Sequence, residues 1–286
     1  MKAPDFEYVR PASLDEALAE LARRGDSAQI LAGGQSLMAM LNLRLAAPGC
    51  LVDIGGLPGL GEIRRDGDVV RVGALVTHRQ LEESAEIAAS VPLLAQAVPH
   101  VAHLAIRNAG TIGGSLALAD PAAEYPAIAL ALEATIVVQG TGGVRRIAAA
   151  DYFQGFYRTA REAQEILVGV EFPVRHPNER AHFSELARRR GDYAMVGLAA
   201  LLRFDAGVVS RARLAFLAVG DRPVLATHAM AALQGRALDA QATRAAQDAL
   251  ARDLDPGGDL QADPATKKHL ARVLLGRALD HLRQTA

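Results

Sequence analysis

Two stretches of nearly bare backbone constrain this chain more than any other feature. Residues 32–36 read AGGQS and residues 110–115 read GTIGGS. Each adjoins an apolar run, so each belongs where a buried element meets a loop. Glycine lacks a Cβ, reaches φ values closed to other residues and lets a second group approach the main chain. Successive N–H groups in such a loop form a nest for an anion. Gln35 and Ser36 in the first stretch, and Thr111 and Ser115 in the second, add side-chain donors. The residues alone leave two readings open: two tight turns, or two loops that close on one diphosphate.

Neither stretch is an ordinary nucleotide signature. No G-x-G-x-x-G follows a strand, which argues against a Rossmann unit. No G-x-x-x-x-G-K-S/T occurs, which argues against a P-loop. Asp120 and Glu124 follow the second stretch. A carboxylate there suits a ribose hydroxyl better than a phosphate, or else serves as a helix cap or ion-pair partner. Residues 188–193, RRRGDY, read as a solvated basic rim followed by Tyr193. That aromatic is placed to stack on a flat heterocycle, or to pack in the core.

Composition narrows the function classes. A chain of 286 residues with a formal charge of −1 can build a core and two or three subdomains. It carries no field for bulk nucleic-acid binding. Its single cysteine, Cys50, excludes an internal disulfide and a four-thiolate iron–sulfur cluster. Within CLVDI that thiol reads as a small buried hydrophobe. His100 and His103 lie close in sequence, but no partner follows at zinc-site spacing, so no metal site is expected. No Ser–His–Asp or paired-carboxylate constellation stands out, so no catalytic residue is assigned. No apolar run reaches transmembrane length and the N-terminus lacks a signal-peptide core, so a cytoplasmic location is expected.

The pattern predicts an α/β opening. Ser13 and Glu16 form a capping box for a helix with Leu14, Ala17, Leu18, Leu21 and Ala22 on its apolar face and Gly25 at its end. Short buried strands follow at 28–32 and 50–54. Residues 62–75 read as a hairpin around Asp66-Gly67. Thr77 and Gln80 cap a short helix, Pro92 opens another, and 127–134 is helical. Strands are expected on both sides of Gly140–Gly143 and over 165–173. Residues 174–181 are polar and mark a boundary. Beyond it, two long strands turn at 205–207, with Ala212, Leu214, Phe216 and Ala218 on one face and Arg211 and Arg213 on the other. Alanine-rich helices at 226–234, 240–252 and 265–282 complete an antiparallel sheet with helices on one face.

Taken together, ILAGGQSLMAMLNLRLAAPGCLVDI, IRNAGTIGGSLALADPAAEYPAIALAL and ARRRGDYAMVGLAA resemble, in order and spacing, three segments of the FAD-binding medium subunits of molybdenum hydroxylases. That family includes the medium chain of aerobic carbon monoxide dehydrogenase and the flavin domain of xanthine dehydrogenase. The resemblance implies an α+β FAD-binding fold similar to the vanillyl-alcohol oxidase and p-cresol methylhydroxylase flavoproteins. It implies an FAD-binding domain over 1–175, made of two α/β subdomains of about 1–56 and 57–175, and a C-terminal α+β lobe with an antiparallel sheet over 176–286.

The resemblance also implies roles for residues and partners. Ala32, Gly33, Gly34, Gln35 and Ser36 match one FAD-diphosphate loop; Thr111, Ile112, Gly113, Gly114 and Ser115 match the other. Glu124 matches an acidic position on the nucleotide portion, Val101 and Leu167 match positions lining the cofactor, and Tyr193 matches a position near the isoalloxazine ring. The implied activity is electron transfer. A large partner subunit would carry the molybdenum cofactor and a small one two 2Fe–2S clusters. FAD in this chain would pass their electrons to an external acceptor. The implied assembly is a dimer of heterotrimers, with any inner-membrane association peripheral and made through partners. The alternative is a self-contained FAD-dependent oxidase or dehydrogenase of the same broad fold. Two positions depart from the family. Xanthine dehydrogenases carry a lysine near the flavin where this chain has Ser184 and Glu185, and many medium subunits have histidine at the position of Leu118.

Overall fold

The computed structural model describes residues 2–284. Its first part is β1 (Glu7–Val9), α1 (Leu14–Arg24), β2 (Ala28–Leu31), α2 (Leu37–Asn42) and β3 (Cys50–Asp53). The strands form a parallel sheet in the order β1-β3-β2, with Glu7 and Ala28 both opposite Cys50. Buried Ala17, Leu18 and Leu21 of α1 cover Cys50 and Val52. Ala22, expected on that face, is exposed. The Ser13 side chain accepts from Glu16 N–H as expected. The Glu16 carboxylate reaches one residue further back and accepts from Ala12 N–H at 2.8 Å, so the capping box does not close on Ser13 itself. Strand β2 is only partly buried, because it is a sheet edge.

The middle part opens with the hairpin β4 (Ile63–Asp66) and β5 (Val69–Gly73), in which Asp66 pairs with Val69 and Gly67 turns at φ +61°. Helices α3 (His78–Glu83), α4 (Ala85–Ser90), α5 (Pro92–Ala97), α6 (Leu104–Arg107), α7 (Ile112–Leu118) and α8 (Glu124–Ala131) follow. The reciprocal Thr77–Gln80 capping box is present at α3, and Pro92 opens α5. Next come β6 (Thr135–Gly140), β7 (Gly143–Ala148), α9 (Ala149–Tyr152), a small hairpin of β8 (Phe153–Gly155) and β9 (Arg158–Thr159), and β10 (Ile166–Pro173). The main sheet runs β4-β5-β10-β6-β7 and every pair in it is antiparallel. The middle part is therefore α+β in its own right, and the α/β expectation holds only for the first part. Helix α8 starts three residues before the expected 127–134 segment, since Glu124, Tyr125 and Pro126 suit a first turn.

The last part is β11 (Glu179–Ala187), β12 (Ala194–Asp205), β13 (Val208–Leu217), β14 (Val224–Leu225), α10 (Thr227–Leu233), α11 (Ala240–Ala249) and α12 (Pro264–Gln284). Strand β11 was not expected, and it begins inside the polar 174–181 stretch. Arg203–Glu179 and cation–π contact between Arg180 and Phe204 explain how so polar a sequence pairs as an edge strand. One face of the sheet packs on α10, α11 and α12, as expected. The other face is covered as well. Phe183, Ala199, Ala215 and Leu217 join the core of the middle part, against α8 and α5. Helix α8 is buried on all sides from Tyr125 to Ala131, which its unbroken apolar sequence requires. On α5, Gln96 donates to Ala181 O at 3.2 Å and accepts from Phe183 N at 3.0 Å, pairing the free edge of β11. Among the described residues no helix is long and apolar enough to cross a membrane.

Candidate cofactor cleft

The first glycine stretch leaves the end of β2 and turns into α2. Gly34 takes φ +70°, a left-handed conformation that only glycine enters cheaply. The Gln35 side chain folds back and donates to Gly33 O at 3.0 Å. Among the described residues, the N–H groups of Gly33, Gly34, Gln35 and Ser36 find no acceptor within the chain. Four consecutive uncommitted donors on a partly exposed loop are the chemistry of an anion nest.

The second stretch is organised differently. Thr111 caps α7, and Gly113 and Gly114 lie in the first helical turn. Most donors here are already used: Ile112 N to Val76 O, Gly113 N to Ala74 O, Gly114 N to Thr111 Oγ1 and Ser115 N to Thr111 O, all at 3.0–3.1 Å. Among the described residues Thr111 N–H alone stays uncommitted in this stretch. The two stretches are therefore not equivalent nests. The glycines also differ in what they do. A Cβ on Gly33 would overlap Ala109 O, and one on Gly113 would meet Ala74 Cβ at 2.5 Å, whereas one on exposed Gly114 would meet only Thr111 Oγ1, at 3.0 Å. Gly33 lets the two stretches touch, Gly113 lets α7 press on Ala74, and Gly114 leaves a gap beside the cap.

Beyond α7 lies an acidic and aromatic cluster. Glu124, at the start of α8, is half-buried; burial first, then the charges of Glu185 and Asp120, raise its pKa to about 8, against a smaller opposing effect of its own main-chain N–H. It is therefore largely protonated at neutral pH and can donate as well as accept. The Tyr157 hydroxyl donates to Asp120 at 3.3 Å, and burial beside that carboxylate raises its pKa to about 12. Tyr193 is 60% exposed, and burial of its hydroxyl, together with the nearby Asp120 and Glu124 charges, raises its pKa. Tyr157, whose ring meets that of Phe156 edge-on, was not foreseen beside Asp120. The signal was an adjacent aromatic pair in the β8–β9 turn, too short a motif to read alone.

Other expected positions lie deeper. Ile112, Val101 and Leu167 are buried in the core of the middle part. Glu185 has a nearly buried side chain whose Oε1 is 3.4 Å from His100 Nδ1. The arginines of 188–190 are exposed, as a rim would be, and Arg188 ties the segment to Leu260 O and Gln261 O at 3.1 Å. Cys50 is fully buried under α1, and burial pushes its thiol pKa up. Among the described residues no group of three or more His, Cys, Asp or Glu could hold a metal ion.

Comparison with known proteins gives the family. A family model described as the FAD binding domain in molybdopterin dehydrogenase matches residues 4–175, and one described as the CO dehydrogenase flavoprotein C-terminal domain matches residues 181–282. The chain is 38% identical over 280 residues to the 6-hydroxypseudooxynicotine dehydrogenase complex subunit alpha of Paenarthrobacter nicotinovorans, covering 98% of this chain and 95% of that one. It resembles a chain of quinoline 2-oxidoreductase from Pseudomonas putida 86 with a TM-score of 0.95 at 40% identity, covering 100% and 99% of the two chains. A chain of carbon monoxide dehydrogenase from Hydrogenophaga pseudoflava gives a TM-score of 0.96 at 38% identity, covering 99% and 98%. With its whole length matched, the chain belongs to the FAD-binding medium subunits of the molybdenum hydroxylase family.

Proposed function

We propose that this chain holds FAD across the two glycine stretches and is the electron-transfer subunit of its complex, taking electrons from 2Fe–2S clusters of a small partner and passing them to an external acceptor. A large partner would hold the molybdenum cofactor and the hydroxylated substrate. The observation that carries this reading is the run of four uncommitted N–H groups at 33–36, held against the backbone of 109–110. When bound, FAD supplies redox chemistry that no side chain has. The residues present fit it. The nest, with Thr111 N–H, would take the diphosphate. The neutral carboxyl of Glu124 would meet a nucleotide hydroxyl without repelling the phosphates. The exposed ring of Tyr193 would flank the isoalloxazine. Buried Ile112, Val101 and Leu167 would form the apolar wall behind these groups.

The same reading extends the likeness to the vanillyl-alcohol oxidase type of flavoprotein, with an FAD-binding domain over 1–175 and a medium-subunit lobe over 176–286. It places the chain in a dimer of heterotrimers in the cytoplasm. Partner contact is supported by apolar side chains left exposed around the nest, among them Met38, Leu43, Leu45 and Leu104. The buried thiol of Cys50 offers no covalent attachment point for a self-contained oxidase.

The test is purification of the complete chain with its native companions. The expected result is a yellow complex that releases FAD on denaturation and contains molybdenum and iron in two other chains. A chain that purifies alone, and stays colourless after saturation with FAD, overturns the reading.

A further inference from the structure

A second polar site lies at the seam between the middle and last parts, away from the glycine stretches. It is a cavity of about 130 Å³. Its walls come from the start of α5, the end of α8, the end of β10, and strands β11, β12 and β13. Four arginines line it, Arg175, Arg203, Arg211 and Arg213, against two carboxylates, Glu133 and Glu179. The lining therefore carries an excess of two positive charges.

The pairing is incomplete as well as unequal. Arg203 is matched by Glu179 at 2.6 Å. Arg211 and Arg213 share the single carboxylate of Glu133. Arg213 also donates from Nη2 to Leu130 O at 2.8 Å, yet its Nε is buried and has no acceptor. The Arg175 side chain has no hydrogen bond or ion pair among the described residues, although its main-chain N–H donates to Ser90 O. A buried guanidinium N–H without an acceptor is costly, and forked N–H donors match planar or tetrahedral oxyanions. The cavity is roomy enough to take such an ion together with bridging waters.

We propose that this seam is a binding site for a small free oxyanion of the inorganic phosphate class, with Arg213 and Arg175 as its cationic determinants. The site is independent of the glycine stretches and of FAD. Occupancy would stabilise the contact between the two parts, because Arg213 and Arg175 stand on opposite sides of the seam.

The experiment is calorimetric titration of the complete chain, in the assembly in which it purifies, with inorganic phosphate at constant ionic strength. Chloride and acetate serve as comparison anions. The expected result is saturable, phosphate-selective binding that weakens about tenfold in Arg213→Gln and in Arg175→Gln, the loss of one charge-assisted hydrogen bond each. Flavin content should stay unchanged in both. Equal heats with chloride, or phosphate affinity unaltered in Arg175→Gln, would overturn the proposal. Arg175 is exposed, so that variant decides the matter even where Arg213→Gln fails to fold. Absence of phosphate binding in the intact assembly would also overturn it, and would point instead to an acidic group of a neighbouring subunit.

Discussion

Gly33 stands against Ala109 so closely that a Cβ on the glycine would overlap the alanine carbonyl oxygen and come within 2.9 Å of Gly110 Cα. The neighbours are main chain and cannot swing aside. Gly33→Ala should therefore force the two glycine stretches apart, cost about 1–3 kcal/mol of stability and release flavin. Gly34→Ala has a different origin of cost. Its Cβ would meet the flexible Met38 side chain at 3.3 Å, so the left-handed φ dominates, at about 1–2 kcal/mol. Urea unfolding and flavin retention, measured side by side, check both. Wild-type flavin affinity in a folded Gly33→Ala protein would remove the paired-cradle reading.

Gly113 and Gly114 are adjacent but should respond differently. Gly113→Ala puts a methyl 2.5 Å from Ala74 Cβ and Ala74 O, a clash in the core costing about 1–3 kcal/mol. Gly114→Ala should leave the unfolding midpoint close to wild type while weakening flavin retention, and Gly114→Val should abolish that retention. Equal loss of stability in the two alanine variants would contradict the assignment of Gly113 to packing.

Glu124 should make the flavin-free chain less stable as pH rises. Its folded pKa, about 8, lies above its ordinary 4.5. Across that interval the unfolded chain releases the proton first, so stability is full below the ordinary value and is lost as pH climbs towards 8. Glu124→Gln should flatten this limb. Thermal unfolding of both proteins at about pH 5.5, 7 and 8.5, two points inside the interval and one above it, reads the difference. Parallel curves would show that Glu124 titrates normally.

His78 works in the opposite direction. Burial, then the charge of Arg107, lowers its pKa from 6.5 to about 4. The unfolded chain takes up the proton first as pH falls, so stability is lost between those two values and is unaffected above the upper one. His78→Gln should remove that acid limb. Tyr125→Phe deletes the hydroxyl 2.9 Å from His78 Nδ1 and leaves a buried ring nitrogen unpaired, at about 1–2 kcal/mol near neutral pH. The two limbs overlap between 4.5 and 6.5 with opposite slopes, so urea midpoints of His78→Gln and Glu124→Gln, each followed across both ranges, separate them.

Tyr193 should tune a bound flavin without holding it. Its ring is 60% exposed, so Tyr193→Ala removes a flat apolar face and little core packing. FAD retention is expected to persist while the visible spectrum or midpoint potential shifts. An unchanged spectrum and potential would place the ring away from the isoalloxazine.

The hairpins and caps were legible because each is decided locally. Asp66-Gly67, Gly140–Gly143, Thr77–Gln80 and Pro92 carry their instructions within four residues of one another. The antiparallel main sheet was not legible, because β10 inserts between β5 and β6 and that pairing spans about a hundred residues. Strand β11 was hidden for another reason: its edge main chain at Ala181 and Phe183 is paired by Gln96 and its Glu179 by Arg203, distant partners that no local pattern reveals. At 33–36 the bare donors were foreseen as one of two open readings. The spent donors of Ile112 and Gly113 were not, since Val76 and Ala74 take them across some forty intervening residues.

Helix α8 is a party wall. Its first turn sets Glu124 near Asp120 and Glu185, its last turn hands Leu130 O to Arg213, and the apolar sides between them are claimed by both neighbours. A nick in the 174–178 segment would therefore sever the polypeptide without letting the halves drift apart. By the same token, grafting the C-terminal lobe of a relative onto this chain would demand that α8 be recut to fit its new tenant.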